Sequence, residues 1–297
     1  MNNHSVRILT CGLKGLIALN SLEPENREKI HHVVIDKDDQ ILEDYAAKTA
    51  QWCDNNKIPW KFNKQNDKTI WPDIMNPFTY TLCMSWRYLL PVDGPVIVFH
   101  DSLLPKYRGF NPLVTALING DSETGVTAFL ASKNPDMGDI IASRKISVKY
   151  PMKIKQAIEI MGYEYGKLLN EILSTRWEEL RFVSQDHTSA SYSLWRDEED
   201  YHIPWQKDSD YIIRFIHAVG FPYKGAFTYL NNRKVRVLDA QIVNDVDIAN
   251  RIPGKVLFKN ENEYTIVCGK GLISVSAFYN DEDYKPIFME GFRLRFT

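Results

Sequence analysis

Two short apolar runs, Val96–Phe99 and Val126–Leu130, frame the stretch that most limits what this chain can fold into. Four or five apolar residues in a row read as a strand buried on both faces, and such strands belong to parallel sheets covered by helices. In open sheets of that kind, ligands bind beyond the carboxyl ends of the strands. His100 stands where the first run ends, and the second run delivers Asp136 to the same edge through a loop. A histidine and a carboxylate at one rim form an acid/base pair, because the carboxylate orients the imidazole and favours its charged form. By pattern alone, a single histidine beside a Ser-Leu-Leu-Pro turn is more often structural than catalytic.

The rest of the first half fits the same architecture. Val6–Thr10 reads as a strand, Cys11-Gly12-Leu13-Lys14-Gly15 as a glycine turn, and Leu16–Leu22 as an apolar helix. The glycines read first as a device for packing that helix on its strand and second as a phosphate-binding loop. Strand patterns follow at His32–Ile35, Trp60–Asn63, Tyr80–Trp86 and Ile140–Val148, and helical spacing at Leu42–Asn55 and Met152–Leu173. Alternating strands and helices predict an α/β domain, a doubly wound, Rossmann-like and mostly parallel sheet, over residues 1–175. Residues 176–204 are polar and aperiodic, as a linker is. Residues 205–297 show a helix, Asp208–Val219, and strand-like segments at Val235–Val243, Gly254–Phe258, Tyr264–Cys268 and Leu272–Phe278. Short strands separated by Asn, Asp and Gly turns predict a small, mainly antiparallel, barrel-like β domain.

Composition excludes several classes. The 297 residues carry 36 Lys+Arg against 38 Asp+Glu, a net charge of -2, so nothing global favours a polyanionic partner. No apolar run approaches the roughly 18 residues that span a bilayer, which predicts a cytoplasmic protein without a membrane partner. Cys11, Cys53, Cys83 and Cys268 lack Cys-x-x-Cys spacing, so buried free thiols are expected and no metal site is.

Three longer motifs add a resemblance. His-x-Ser-Leu-Leu-Pro-Lys-Tyr-Arg-Gly at 100–109, Asn-Gly-Asp-x-Glu-Thr-Gly-Val-Thr at 119–127 and Asp-x-Gly at 136–138 together resemble the 10-formyltetrahydrofolate-dependent formyltransferases. Ile203-Pro204-Trp205, the PYKGA segment at 222–226 and the PGKVL segment at 253–257 are similar to the carboxy-terminal domain of the methionyl-tRNA and amino-sugar members. The resemblance implies His100 as general base with Asp136 supporting it, and 10-formyltetrahydrofolate as formyl donor. It implies a folate pocket from Met84, Tyr88, Leu89, Leu90, the turn Ser102, Leu103, Leu104 and Pro105, and the loop Ser132, Lys133, Asn134 and Pro135. One departure stands out: the family usually has an asparagine two residues before the histidine, as an oxyanion donor, and this chain has Val98. Protonated His100, a main-chain N–H, a water or Asn111 are the candidate substitutes.

The acceptor amine is argued from charge. Residues 201–297 hold 13 Lys+Arg and 11 Asp+Glu, too mild a balance for tRNA. A nucleotide-linked amino sugar of surface-polysaccharide synthesis, UDP- or dTDP-linked with a 4-amino or 3-amino group, needs only a few cations. Lys106, Arg108 and Arg196 are the candidates, each equally readable as a solvated or structural charge. Tyr192 and Trp195 are candidates for stacking a base, and Phe110 and Asn111 for the sugar. Methionyl-tRNA formylation, a sugar-nucleotide binding module without catalysis, and hydrolysis of the formyl-folate remain open at this level, as does a homodimer.

Overall fold

The computed structural model describes residues 5–63, 79–88 and 95–297. Its residues group into two compact units: Met1–Leu113, Glu123–Ser147 and Ala157–Trp195 form the first, and Val114–Ser122, Val148–Gln156 and Arg196–Thr297 the second.

The first unit is built on β1 (Ser5–Cys11), β2 (Ile30–Asp36), β3 (Trp60–Phe62), β4 (Thr79–Met84), β5 (Val96–His100), β6 (Arg108–Gly109), β7 (Glu123–Leu130), β8 (Ile140–Ser147) and β9 (Tyr192–Ser193). Seven of these make one sheet in the order β3-β2-β1-β4-β5-β7-β8. Pairing is parallel from β3 to β5 and antiparallel for β5 with β7 and β7 with β8. The mostly parallel expectation therefore holds with a mixed edge. Central strands are apolar because both faces are covered: Ile8, Leu9, Val33, Val34, Leu82, Val96 and Ile97 have no exposed surface. Helices α1 (Gly12–Asn20), α2 (Pro24–Arg27) and α3 (Ala46–Asn55) belong to this unit, α4 (Pro112–Asn119) falls mostly in the second and α5 (Ile154–Ser174) mostly in the first.

In the glycine turn, Gly15 serves packing. A Cβ on Gly15 would lie 1.8 Å from Thr10 Oγ1, so only glycine lets α1 approach β1 this closely. The four cysteines are buried free thiols, and burial pushes Cys11, Cys53 and Cys268 up to about 12. Such thiols are inert.

The second unit carries α6 (Ser209–Ala218) and the strands β10 (Ala226–Leu230), β11 (Arg233–Val237), β12 (Gln241–Val243), β13 (Val256–Asn260), β14 (Glu263–Val267), β15 (Leu272–Val275), β16 (Phe278–Asn280) and β17 (Pro286–Ile287). They form two four-stranded antiparallel sheets, β10-β11-β16-β17 and β12-β15-β14-β13. The long runs expected at Val235–Val243 and Leu272–Phe278 are each broken in two, because their halves pair in different sheets. Phe227, Phe278, Ile273 and Val275 fill the interior of this unit. Among the described residues, no helix is long and apolar enough to cross a membrane.

Candidate active site

β5 ends on His100, whose side chain is almost wholly buried. Its Nε2 lies 2.7 Å from the Tyr107 carbonyl oxygen. A carbonyl can only accept, so Nε2 carries the hydrogen and the neutral ring keeps its lone pair on Nδ1. That nitrogen faces Asp136, with Oδ2 at 3.8 Å. The separation is too long for a direct hydrogen bond and short enough for a strong charge interaction or for one bridging atom.

Asp136 reaches His100 by a route other than the one expected. β7 runs antiparallel to β5, so Thr127 opposes His100 and Leu130 opposes Ile97, toward the other end of the strand. The loop 131–139 has to bring the carboxylate back. Asp136 adopts the left-handed conformation there (φ 55°), and its Oδ2 accepts from the Gly109 N–H at 2.7 Å. A different carboxylate, Asp101, lies nearer in sequence. It is taken by the Lys14 ammonium and the Tyr165 hydroxyl, and burial beside Asp101 raises the Tyr165 phenol well above its ordinary pKa. Lys14 and Tyr165 had no signal in the sequence beyond a glycine turn and a helical apolar position.

The Ser-Leu-Leu-Pro turn is organised by Thr127. Its hydroxyl donates to the Ser102 carbonyl at 2.7 Å and accepts from the Leu104 N–H at 3.1 Å. The Ser102 hydroxyl donates to the Lys106 carbonyl. Ser102 and Leu104 are buried, and Leu103 lies against the backbone of Gly125. The turn is thus the inner wall on which the loop to Gly109 is folded, and the Leu104–Pro105 peptide within it is cis. Of the other residues expected to hold folate, Met84 is buried at the end of β4 and Tyr88 is partly exposed. Ser132, whose hydroxyl donates to the Asn134 carbonyl, is half-buried, and Lys133, Asn134 and Pro135 are exposed. Leu89 and Leu90 lie outside the described residues.

Residues expected to hold the acceptor sort into two environments. Arg108 is 1% exposed, its Nε and Nη2 donating to Gln185 Oε1 at 3.1 and 2.7 Å and its Nη2 to His187 Nδ1 at 2.9 Å. Its Nε and Nη2 are therefore committed to the architecture of the loop, while Nη1 is buried without a partner among the described residues. Phe110, Tyr192 and Trp195 are 57%, 64% and 60% exposed, a surface that a ring can reach. Phe110 and Tyr192 share one strip: β6 pairs with β9 in parallel, and the Phe110 N–H donates to the Ser193 carbonyl at 3.0 Å. A Cβ on Gly109 would stand 2.5 Å from that carbonyl, so only glycine permits the pairing. Lys106 is exposed, with its ammonium 4.7 Å from the Tyr107 ring centre. Asn111 is exposed in a left-handed conformation, and Arg196 is half-buried in the second unit with its Nε unpartnered among the described residues.

Val98 packs with Trp86 and Ala131 against the core of Leu9, Val34, Cys83 and Val96. It lies two residues before His100, on the same face of β5. Nothing in its side chain can donate to an oxyanion. Among the described residues, no group of three or more His, Cys, Asp or Glu could hold a metal ion.

Comparison with known proteins agrees with this layout. Residues 24–161 match the model of "Formyl transferase", and residues 196–287 that of "Formyl transferase, C-terminal domain". The N-formyltransferase from Helicobacter canadensis, solved with folinic acid and dTDP-3-aminofucose, is 18% identical, with 93% of this chain and 99% of that one covered and a TM-score of 0.68. Methionyl-tRNA formyltransferase from Clostridium thermocellum is 19% identical, with 83% and 96% covered and a TM-score of 0.58. HypX from Aquifex aeolicus, in a multiply substituted form, is 15% identical over 96% of this chain, with a TM-score of 0.63. The chain spans 46% of the length of that protein.

Proposed function

We infer that this chain, which belongs to the formyl transferase family in both of its domains, transfers a formyl group from 10-formyltetrahydrofolate to the free amine of a nucleotide-linked amino sugar. The observation that carries the reading is the pairing of His100 with Asp136 at the carboxyl end of β5, with the basic nitrogen of the neutral ring turned toward the carboxylate. The formyl-folate supplies an activated carbonyl carbon and a nitrogen leaving group.

His100 does the proton work in this scheme. As the amine attacks the formyl carbon, His100 Nδ1 takes the proton that the amine sheds. The imidazolium that forms lies 3.8 Å from Asp136 Oδ2, which stabilises its charge. The proton then passes to the leaving nitrogen as the carbon–nitrogen bond to folate breaks, and His100 is neutral again. The Tyr107 carbonyl keeps the ring in one orientation throughout. Room for a folate ring fits one further observation: Trp86 Nε1, at the end of β4, is buried without a hydrogen-bond partner among the described residues, as a donor awaiting an acceptor-rich ring is.

A sugar nucleotide is favoured over tRNA by charge and by exposed aromatics. The near-balance of charge gives a polyanion no overall attraction, whereas Phe110, Tyr192 and Trp195 offer faces for a base or sugar. The H. canadensis structure, which covers almost the whole chain, contains such a ligand. To test the reading, the protein is mixed with 10-formyltetrahydrofolate and a panel of UDP- and dTDP-amino sugars, and products are followed by mass. One formyl group gained on one sugar, and lost with His100→Ala, is expected. Formylation of methionyl-tRNA alone would overturn the choice of acceptor, and free formate released without any amine would make the protein a hydrolase.

A further inference from the structure

We propose that Gln185 is the positioning residue for Asp136, holding the carboxylate in register with His100 through a closed ring of hydrogen bonds; the proposal rests on the formyl-transfer reading for its kinetic test only. Gln185 is 6% exposed and comes from the polar segment after α5, where neither periodicity nor charge singles it out. Its Nε2 donates to two carbonyls of one loop, Asp136 at 3.0 Å and Gly138 at 2.7 Å. Its Oε1 accepts twice from Arg108. Arg108 is bonded covalently to Gly109, and the Gly109 N–H donates to Asp136 Oδ2 at 2.7 Å. The ring therefore starts at the main chain of Asp136, passes through Gln185, Arg108 and Gly109, and returns to the side chain of the same aspartate.

The local backbone needs such a clamp. Asp136 has φ 55°, a conformation that a non-glycine residue keeps only where its surroundings over-determine it. At Gly138 a Cβ would stand 1.7 Å from the Leu130 carbonyl oxygen, so the loop is pressed onto the end of β7 on one side. The two bonds from Gln185 straddle Met137 and fix the other side. A carboxamide can donate to two carbonyls of the loop from its NH2 while its oxygen accepts from a guanidinium. Glutamate keeps only the second function, and methionine, similar in length, keeps neither.

That asymmetry supplies the test. Gln185→Glu loses the two bonds to the loop but keeps an acceptor for Arg108 and adds an ion pair with it, so it should melt closer to wild type than Gln185→Met, which leaves the buried guanidinium with His187 as its remaining acceptor. Positioning predicts that both lose kcat by about 10–100-fold, with KM for 10-formyltetrahydrofolate little changed, since a displacement of about 1 Å at a reacting group costs on that order. In parallel, amide hydrogen exchange at Gly109 should quicken about tenfold in Gln185→Glu, because its acceptor has moved. A kcat that follows melting temperature, normal in the Glu variant and low only in the Met variant, would reduce Gln185 to a structural role and overturn the proposal. Unchanged Gly109 exchange in Gln185→Glu overturns it as well. If the wild-type protein formylates no amine, the activity reading fails, and the exchange measurement still decides on Gln185.

Discussion

The Tyr107 carbonyl oxygen lies 2.7 Å from His100 Nε2, and that single bond decides which nitrogen of the histidine is the base. Because the carbonyl accepts, Nδ1 is left as the lone-pair nitrogen on the side of Asp136. Replacing His100 by alanine removes the proton acceptor, and kcat should fall by about 10²–10⁴-fold, the range for general acid–base catalysis. Asp136→Asn keeps an acceptor for the Gly109 N–H but loses the charge, so kcat should fall with little change in folate affinity. Steady-state kinetics beside equilibrium folate binding checks both. A His100→Ala variant with wild-type kcat would remove His100 from the mechanism.

Val98 offers a gain-of-function test. It shares a face of β5 with His100 and is partly buried against Trp86 and Ala131. If the developing oxyanion lacks a donor, Val98→Asn supplies one, and kcat should rise, by up to about 10²–10³-fold, the usual worth of a single such donor. Polarity at a partly buried site lowers stability, so thermal melting is measured alongside. An unchanged kcat in a folded variant would show that another group already holds the oxyanion.

Thr127 is the hub of the Ser-Leu-Leu-Pro turn, since its hydroxyl satisfies both the Ser102 carbonyl and the Leu104 N–H. Thr127→Val preserves shape and strand propensity and leaves both of those buried groups unpaired. The cost should be about 1–3 kcal/mol per orphaned group, read as a lowered melting temperature. With the turn loosened, KM for 10-formyltetrahydrofolate should rise more than kcat falls. A variant that melts like wild type would show that the turn does not depend on this hydroxyl.

What the sequence made legible and what it hid follow a physical pattern. Buried strands show as unbroken apolar runs, so β1, β4 and β5 and the placing of His100 at a strand end could be read directly. The direction of β7 could not, because an apolar run has the same appearance in parallel and antiparallel pairing. The loop carrying Asp136 therefore had to come from the structure, although the residue itself was marked by its Asp-x-Gly motif. Arg108 shows the opposite limit: its charge read equally as a phosphate contact, a solvated charge or a structural one, and the fold buries it against Gln185 and His187. A glutamine in a polar segment carries no pattern at all. Only its three partners, distant in sequence, reveal what it does.

The second unit holds a histidine whose titration should be visible in stability. His217 is 6% exposed, its Nε2 donates to Asp239 Oδ1 at 2.9 Å, and its Nδ1 is buried without a partner among the described residues. Burial pushes the imidazole below its ordinary pKa, and the opposing pull of Asp239 is weaker because that carboxylate is about half exposed. Burial also raises the Asp239 carboxyl, but the hydrogen bonds from Lys153 and His217 outweigh it and leave that group below the usual range. The sign for His217 then follows from linkage. Below about pH 6.5 the unfolded chain binds a proton that the folded histidine refuses, so stability is full above that pH and declines as pH falls toward the lowered folded value. Asp239 acts in a separate and more acidic window, below the ordinary carboxylate range. Thermal melting between pH 8 and 5 should therefore show a loss on the acid side, and His217→Gln, which keeps an N–H for Asp239 and cannot titrate, should flatten it. Equal slopes in the two proteins would place the acid sensitivity on other groups.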